Sequence, residues 1–197
     1  MTDAGPERRP ISLAVVMIVT GILGWYAAFA LTLDKFAVLM NPDAVLDCNY
    51  SLVVQCGANL QSWQGSLFGF PNPVLGLAGW MVPIIVGVAI LAGARFARWF
   101  WITFAVFVAA ALAFCIWLMS QSIFVLGTLC IWCMLTWAVT IVLFWTLSSH
   151  IARRGMLGAG LVRAGSALYG WVPALTIGSY IVIAVIAQLR LDVLSYL

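Results

Sequence analysis

The sequence predicts an all-α integral membrane protein, with a four-helix transmembrane bundle core and a fifth transmembrane helix. Of its 197 residues, 65% are hydrophobic and only 8% are charged, and the mean hydropathy is +1.13. Water-soluble domains carry about a quarter charged residues. The net charge of +3 is too small to indicate a nucleic-acid partner. Four stretches contain no charged residue and set the limits of the predicted spans: 11–33, 48–94, 99–152 and 164–189.

The first two spans are predicted at 11–33 and 72–94, since a spanning helix needs about 20 apolar residues. Glycine and proline inside the second span are tolerable in lipid, where small residues let helices approach closely. A cleavable signal peptide is the alternative interpretation of residues 1–33, because Arg8 and Arg9 precede the apolar run. Signal-peptide cores run only about 7–15 residues, so a retained helix is favoured.

The uncharged stretch that begins at Trp99 is too long for one helix. Polar residues at 120–122, followed by Gly127 and Thr128, divide it into helices predicted at 99–121 and 127–148. The short turn makes these two helices antiparallel neighbours, and Thr128 is the expected N-cap of the second. The fifth helix is predicted at 169–190.

The basic residues predict the orientation, because cytoplasmic loops are enriched in Lys and Arg. Lys35 and Arg190 fall on one side, and seven arginines fall on the other: Arg8, Arg9, Arg95, Arg98, Arg153, Arg154 and Arg163. The N-terminus is therefore expected in the cytoplasm, and the loop 34–71, the turn 120–128 and the C-terminus outside. The predicted segments are a cytoplasmic tail (1–10), the four-helix core (11–148), a basic loop (149–168), and the fifth helix with a short tail (169–197).

Four cysteines on the predicted outer side indicate redox chemistry. Cys130 and Cys133 form a C-x-x-C at the outer end of a helix, where they share a face and the helix dipole favours thiolate. Cys48 and Cys56 lie in the outer loop, where an oxidising compartment permits disulfides. Thiol–disulfide exchange requires one loop cysteine to contact one C-x-x-C cysteine. The pattern predicts a thiol–disulfide relay that ends in the bilayer.

Two other interpretations use the same four cysteines. A zinc site would take them as thiolate ligands, although the C-x7-C spacing is unlike a zinc knuckle and no metal is expected. Two purely structural disulfides are the second alternative, and spacing alone leaves all three pairings open. Cys115 is expected to be a small buried hydrophobe, and His150 an interfacial residue beside the arginines.

These motifs resemble the vitamin K epoxide reductase family over about residues 11–147. The resemblance is carried by Cys48-x7-Cys56, by Ser62, by the segment 68–76 that leads into the second helix, and by Cys130-Ile-Trp-Cys133. It implies that a short interfacial helix lies at about 59–66. Bacterial members have a fifth helix that often leads to a fused thioredoxin-like domain. This chain stops at Leu197, so a separate partner is expected.

The resemblance also implies roles for individual residues. Cys48 and Cys56 would take electrons from a reduced partner, and Cys56 would form a transient disulfide with Cys130. Cys133 would be the thiolate that faces a quinone, and Ser62 would support the reactive cysteine. The expected quinone contacts are an amide and four outer-side aromatic residues: Asn72, Phe68, Phe114, Trp132 and Trp137.

One departure from the family pattern bears on the reaction. Animal members have a tyrosine four residues after the second C-x-x-C cysteine, and here the residue is Trp137. Indole only donates hydrogen bonds, so the phenol that is a plausible proton donor for epoxide reduction is missing.

Taken together, these features predict a quinone-dependent thiol oxidase in a bacterial cytoplasmic membrane. It would regenerate disulfides in a separate DsbA-like, thioredoxin-fold protein and pass the electrons to the membrane quinone pool, with a menaquinone-type naphthoquinone expected. The alternatives are a vitamin K or quinone epoxide reductase, and a four-cysteine metal-binding or structural membrane protein.

Overall fold

The computed structural model describes residues 10–41, 45–46 and 48–195, which are mostly helical. The helices of that part are α1 (Ile11–Met40), α2 (Gly57–Gln61), α3 (Asn72–Leu91), α4 (Arg98–Ser120), α5 (Ile131–Arg153) and α6 (Val162–Leu191). A π-helical turn extends α4, and short 3₁₀ turns stand at Trp63–Ser66, Ala159–Leu161 and Val193–Ser195. All but α2 are long and apolar enough to cross a membrane, which confirms the predicted class. The tail 1–9, with Arg8 and Arg9, lies outside the described residues.

The long helices pack as a bundle in which α1 and α5 are central. Helix α1 packs on α3 and α5, while α5 also packs on α4 and α6. Helices α3 and α4 are joined by a short loop, but their backbones rarely come close to each other along their lengths. We call the bundle end with the arginines of 95–98 and 153–163 the basic end, and the opposite one the cysteine end. The main apolar core lies toward the basic end, around Met17, Ile90, Trp101 and Leu147.

Helices α1 and α3 approach closely because each helix turns glycines toward the other. A β-carbon added at Gly24 would lie 2.2 Å from the indole of Trp80, and one at Gly87 would lie 2.8 Å from the carbonyl oxygen of Ala14. Small residues at such positions let membrane helices pack backbone against backbone. This contact fixes the position of α3 against α1, and with it the position of Trp80.

The first helix is longer than predicted. It continues through Asp34 and Lys35 to Met40, so the outer loop begins at Asn41 rather than at residue 34. Polar residues do not stop a helix by themselves, but a residue that precedes proline is disfavoured in the α conformation. Asn41, which precedes Pro42, is accordingly extended, with φ −141°.

The turn before α5 also differs from the prediction. The helix does not break at residues 120–122. It continues as the π-helical turn Gln121–Leu126 and ends at Gly127, whose φ is +68°. The expected N-cap Thr128 is wrong, since its hydroxyl accepts a hydrogen bond from Asn59. Cys130 is the N-cap instead, and α5 begins at Ile131.

Candidate active site

The outer loop is fastened to the segment that leads into α5. Val54 forms a parallel bridge with Leu129. The amide of Gln55 donates to the Leu129 carbonyl (2.8 Å), and the amide of Leu129 donates to the Val53 carbonyl (2.7 Å). These pairs stand immediately before Cys56 and Cys130, so the backbone bridge sets the two cysteines beside each other.

Three cysteines meet at the end of this bridge. Cys48 and Cys56 form a disulfide, and the sulfur of Cys130 lies 3.2 Å from the sulfur of Cys56. Cys56 and Cys130 are fully buried, in an apolar cluster that also contains Leu31, Val38, Leu46 and Leu60. A thiolate exchanges disulfides by attacking a sulfur directly, and the arrangement brings one cysteine of each pair into contact.

The position of Cys130 favours its thiolate. Its sulfur accepts a hydrogen bond from the backbone amide of Cys133 at 3.4 Å, because Cys130 caps the helix. Hydrogen bonding from the Cys133 thiol lowers the pKa of Cys130, and the backbone amides of Cys133 and Trp132 act in the same direction against the opposing effect of burial. A thiolate is the species that exchange requires.

Cys133 faces a large cavity on the other side. The cavity has a volume of about 730 Å³ and is bounded by α1, α3, α4, α5 and the loop before α3. It runs from Ser62 near the cysteine end to Trp99 near the basic end, and its lining is mostly apolar. Exposed side chains such as Val82 and Phe107 belong to the lining. Because these exposed residues lie on α3 and α4, the cavity opens sideways between the two helices.

The predicted quinone contacts are divided between the cavity and its surroundings. Asn72, Phe114 and Trp137 line the cavity together with Cys133. Phe68 lies beside the Phe114 ring, at 5.7 Å between centroids, and is more than half exposed.

The structure does not bring Trp132 to the cavity lining. Its ring packs edge-on against Tyr26, at 5.5 Å between centroids, because residue 132 points away from the face that carries Cys133. Trp132 instead packs against the buried cysteine cluster.

The amide of Asn72 is held in place by the loop. Its Nδ2 donates to the Gln64 carbonyl at 2.6 Å, and its Oδ1 accepts from the Leu67 amide at 3.2 Å. A primary amide carries two N–H donors, so a second one is available beyond the bond to Gln64. Asn72 is also the first residue of α3, after Pro71. The same residue therefore starts a helix and lines the cavity.

Ser62 lines the cavity, but its hydroxyl bonds locally. It donates to the Asn59 carbonyl at 2.7 Å and accepts from the Gly65 amide at 3.3 Å. It thereby caps the 3₁₀ turn that follows α2. Support of the reactive cysteine by Ser62 stays a prediction.

Sequence reasoning missed several residues around the sulfurs. Asp34 on α1 lies 3.4 Å from the Cys48 sulfur, and Asn49 Oδ1 accepts from the Cys56 amide at 3.0 Å. Asn59 holds Thr128 across the two segments, at 2.9 Å. Of these residues, only Asp34 could have been noticed in the sequence, as a charged residue directly after an apolar span.

The cysteine end also has the outline of a metal site. An oxygen of Asp34 and the sulfurs of Cys48 and Cys56 lie within 4.8 Å of one another. Zinc binds thiolates, however, and the two sulfurs are joined as a disulfide. In this state the group does not offer a thiolate ligand set.

The two side chains that sequence reasoning set aside are both buried. His150 lies against the Trp101 ring near the basic end and is only 2% exposed. Its position at the membrane interface stays a prediction. Cys115 is buried as expected, 3.9 Å from the Thr140 hydroxyl, and it also lines the cavity.

The sequence model of the vitamin K epoxide reductase family matches residues 15–148. The match covers more than half of the 197 residues and includes most of α1 and α5, all of α3 and α4, and every cysteine. No curated protein sequence matches the chain.

Proposed function

The chain belongs to the vitamin K epoxide reductase family, and from this premise we propose that it is a quinone-dependent thiol oxidase that regenerates disulfides in an extracytoplasmic, thioredoxin-fold partner. Family membership makes it a redox enzyme that acts on thiols or quinones, and five candidate spans make it a multi-pass membrane protein. The proposal adds the direction of electron flow, the class of partner and the role of each cysteine.

One observation carries the proposal. The Cys130 sulfur lies 3.2 Å from the Cys56 sulfur, while Cys133, three residues later, lines the cavity. The C-x-x-C pair therefore has one sulfur in the loop cluster and one in the membrane cavity. A relay from a thiol partner to a lipid-soluble acceptor requires this division.

The exchange steps follow from the sulfur contacts. A partner thiolate attacks Cys48, and Cys56 leaves as a thiolate. Cys56 attacks Cys130 in an oxidised C-x-x-C, and Cys133 leaves as a thiolate. After the partner's second thiol releases Cys48, Cys48 attacks Cys56 and frees Cys130.

The observed pairing matches the end of this sequence. The loop disulfide Cys48–Cys56 is formed, and Cys130 and Cys133 are free thiols. The partner has then become a disulfide, and the two electrons reside on the C-x-x-C pair.

The cavity fits a quinone. It is mostly apolar, long and open to the side between α3 and α4, which suits a ring with an isoprenoid tail. Asn72 lines the same cavity as Cys133 and offers an amide donor. When bound, a quinone supplies the acceptor for two electrons and two protons, and the Cys130–Cys133 disulfide re-forms. A menaquinone-type naphthoquinone is the proposed acceptor.

The loop supports docking of a protein partner. Cys48 itself is buried, but the neighbouring loop tip exposes Tyr50 at 71% and Leu52 at 79%. Large exposed apolar side chains beside a redox disulfide suit the apolar rim of a thioredoxin-fold active site. The positive-inside rule supports a basic end in the cytoplasm, and with it a loop outside a bacterial cytoplasmic membrane.

The cavity lining favours thiol oxidation over epoxide reduction. Trp137 is buried in the lining, and among the described residues that line the cavity there is no tyrosine. Indole N–H is a far weaker acid than a phenol. The proton donor for epoxide opening is therefore missing from the lining.

The test uses the purified chain in detergent, a reduced DsbA-like protein and a naphthoquinone whose absorbance is followed. We expect quinone loss that requires Cys133, so that Cys133→Ala abolishes it. Cys56→Ser should block oxidation of the protein partner while a small dithiol still drives quinone loss through Cys130 and Cys133. If neither donor consumes quinone with the wild-type chain, the proposal is wrong.

A further inference from the structure

A carboxylate lies against the loop disulfide. Oδ2 of Asp34 is 3.4 Å from the Cys48 sulfur. Asp34 is half-buried on α1, between Leu31 and Val38, which belong to the cluster that buries the cysteines. Residues three and four apart share a helix face, so the helix itself turns Asp34 toward the sulfurs.

In the observed state Asp34 Oδ2 and the Cys48 sulfur cannot form a hydrogen bond. Cys48 is in a disulfide, and a disulfide sulfur carries no proton. When the loop is reduced, the Cys48 thiol becomes a donor at the position the carboxylate already faces.

We propose that Asp34 accepts the proton of Cys48 in the step that re-forms the loop disulfide. The inference rests on the proposed function. Cys48 attacks the Cys56 sulfur of the Cys56–Cys130 disulfide, and its proton passes to Asp34. The Cys48–Cys56 bond forms, the Cys56–Cys130 bond breaks, and Cys130 leaves as a thiolate. No electron leaves the protein in this step.

Charge balance favours the same assignment. The negative charge of Asp34 acts on Cys130 and opposes its thiolate. Once Asp34 holds the proton, it is neutral, and this repulsion disappears as Cys130 becomes the leaving group. One carboxyl group thus activates the nucleophile and relieves the leaving group.

The other titratable groups nearby do not offer an alternative acceptor among the described residues. Lys35 follows Asp34 on α1 and donates its ammonium to the Leu60 carbonyl. Cys56 and Cys130 are the reacting sulfurs themselves. Asp34 is the carboxylate that the geometry places at Cys48.

The experiment compares Asp34→Asn with Asp192→Asn, which makes the same change at an exposed position near the end of α6. At pH 7 we expect Asp34→Asn to lower partner-driven quinone loss by about 100-fold, the usual size of general-base catalysis. The Cys56–Cys130 disulfide should accumulate and be found by non-reducing peptide mass spectrometry. The deficit should shrink above the pKa of an ordinary thiol, about 8.5. Asp34→Glu should restore part of the rate.

A second donor separates this inference from the proposed function. In Asp34→Asn, quinone loss driven by the protein partner should slow, whereas quinone loss driven by a small dithiol that reduces Cys130–Cys133 directly should slow much less. If both rates fall together at every pH, or the Cys56–Cys130 disulfide does not accumulate, Asp34 is not the proton acceptor. If the wild-type chain oxidises no partner, the proposed function fails first and the role of Asp34 fails with it.

Discussion

Replacing Thr128 by valine tests how the loop is held over the C-x-x-C pair. Thr128 is 5% exposed, and its hydroxyl accepts the Asn59 amide at 2.9 Å. Valine keeps the branched shape but leaves the Asn59 donor without this acceptor. The two backbone hydrogen bonds between the segments 53–55 and 129 remain.

The size of the effect follows from the loss of one partner. Asn59 is only partly buried, so the loss is that of an ordinary hydrogen bond, about 0.5–1.5 kcal/mol. Since about 1.4 kcal/mol is a factor of ten in an equilibrium constant, local opening of the loop should become roughly 2- to 12-fold more frequent. The closed loop still dominates, so we expect a small change in oxidation rate.

Hydrogen exchange measures the opening directly. The amides of Gln55 and Leu129 should lose protection in Thr128→Val by the factor given above, while amides in the middle of α5 keep theirs. Thr128→Ser retains the hydroxyl and is the matched control. Equal protection in the valine variant and the wild type would refute the reasoning, because the Asn59 bond would then contribute nothing to loop closure.

Three further variants test the packing, the thiolate and the cavity. Gly24→Ala should lower the free energy of unfolding by about 1–3 kcal/mol, because its β-carbon would lie 2.2 Å from an indole ring of α3. The Tm in detergent measures this loss. Gly178→Ala, with open space around the added β-carbon, should leave the Tm unchanged. Cys133→Ala removes the hydrogen bond that lowers the pKa of Cys130, so thiolate absorbance should appear at higher pH, whereas Cys133→Ser, which keeps a donor, should shift it less. Asn72→Leu should raise the KM for quinone about tenfold, the effect of losing roughly one hydrogen bond, and an unchanged KM would remove the amide from the quinone site.

The membrane class and the number of spans were predictable because lipid imposes strong rules. Every spanning segment must form its own backbone hydrogen bonds, which favours helices, and must have about 20 apolar residues. Apolar runs of that length can be read directly from the sequence. The ends were harder, because they depend on tertiary contacts. Helix α1 continues past Asp34 to Met40, and Lys35 in this extension donates to the Leu60 carbonyl of the outer loop.

The sulfur contacts show the same limit. Spacing placed a C-x-x-C near a helix end, but it did not show that Cys130 rather than Thr128 caps α5. That outcome depends on Asn59, which takes the Thr128 hydroxyl from 69 residues away in sequence. Likewise the Cys48–Cys56 pairing was one of three that spacing allowed, and the bridge at Val54 and Leu129 brings Cys56 to Cys130.

The division between Cys130 and Cys133 explains why a relay needs both cysteine pairs. Cys130 is fully buried under the loop and does not line the cavity, so it is not placed to meet a lipid-soluble acceptor. Cys133 packs against both the loop cluster and the cluster of Trp137 beside the cavity. In the relay that we propose, opening and closing one disulfide at the start of α5 would carry electrons from the buried loop cluster to the cavity, and the protein partner and the quinone would not have to meet.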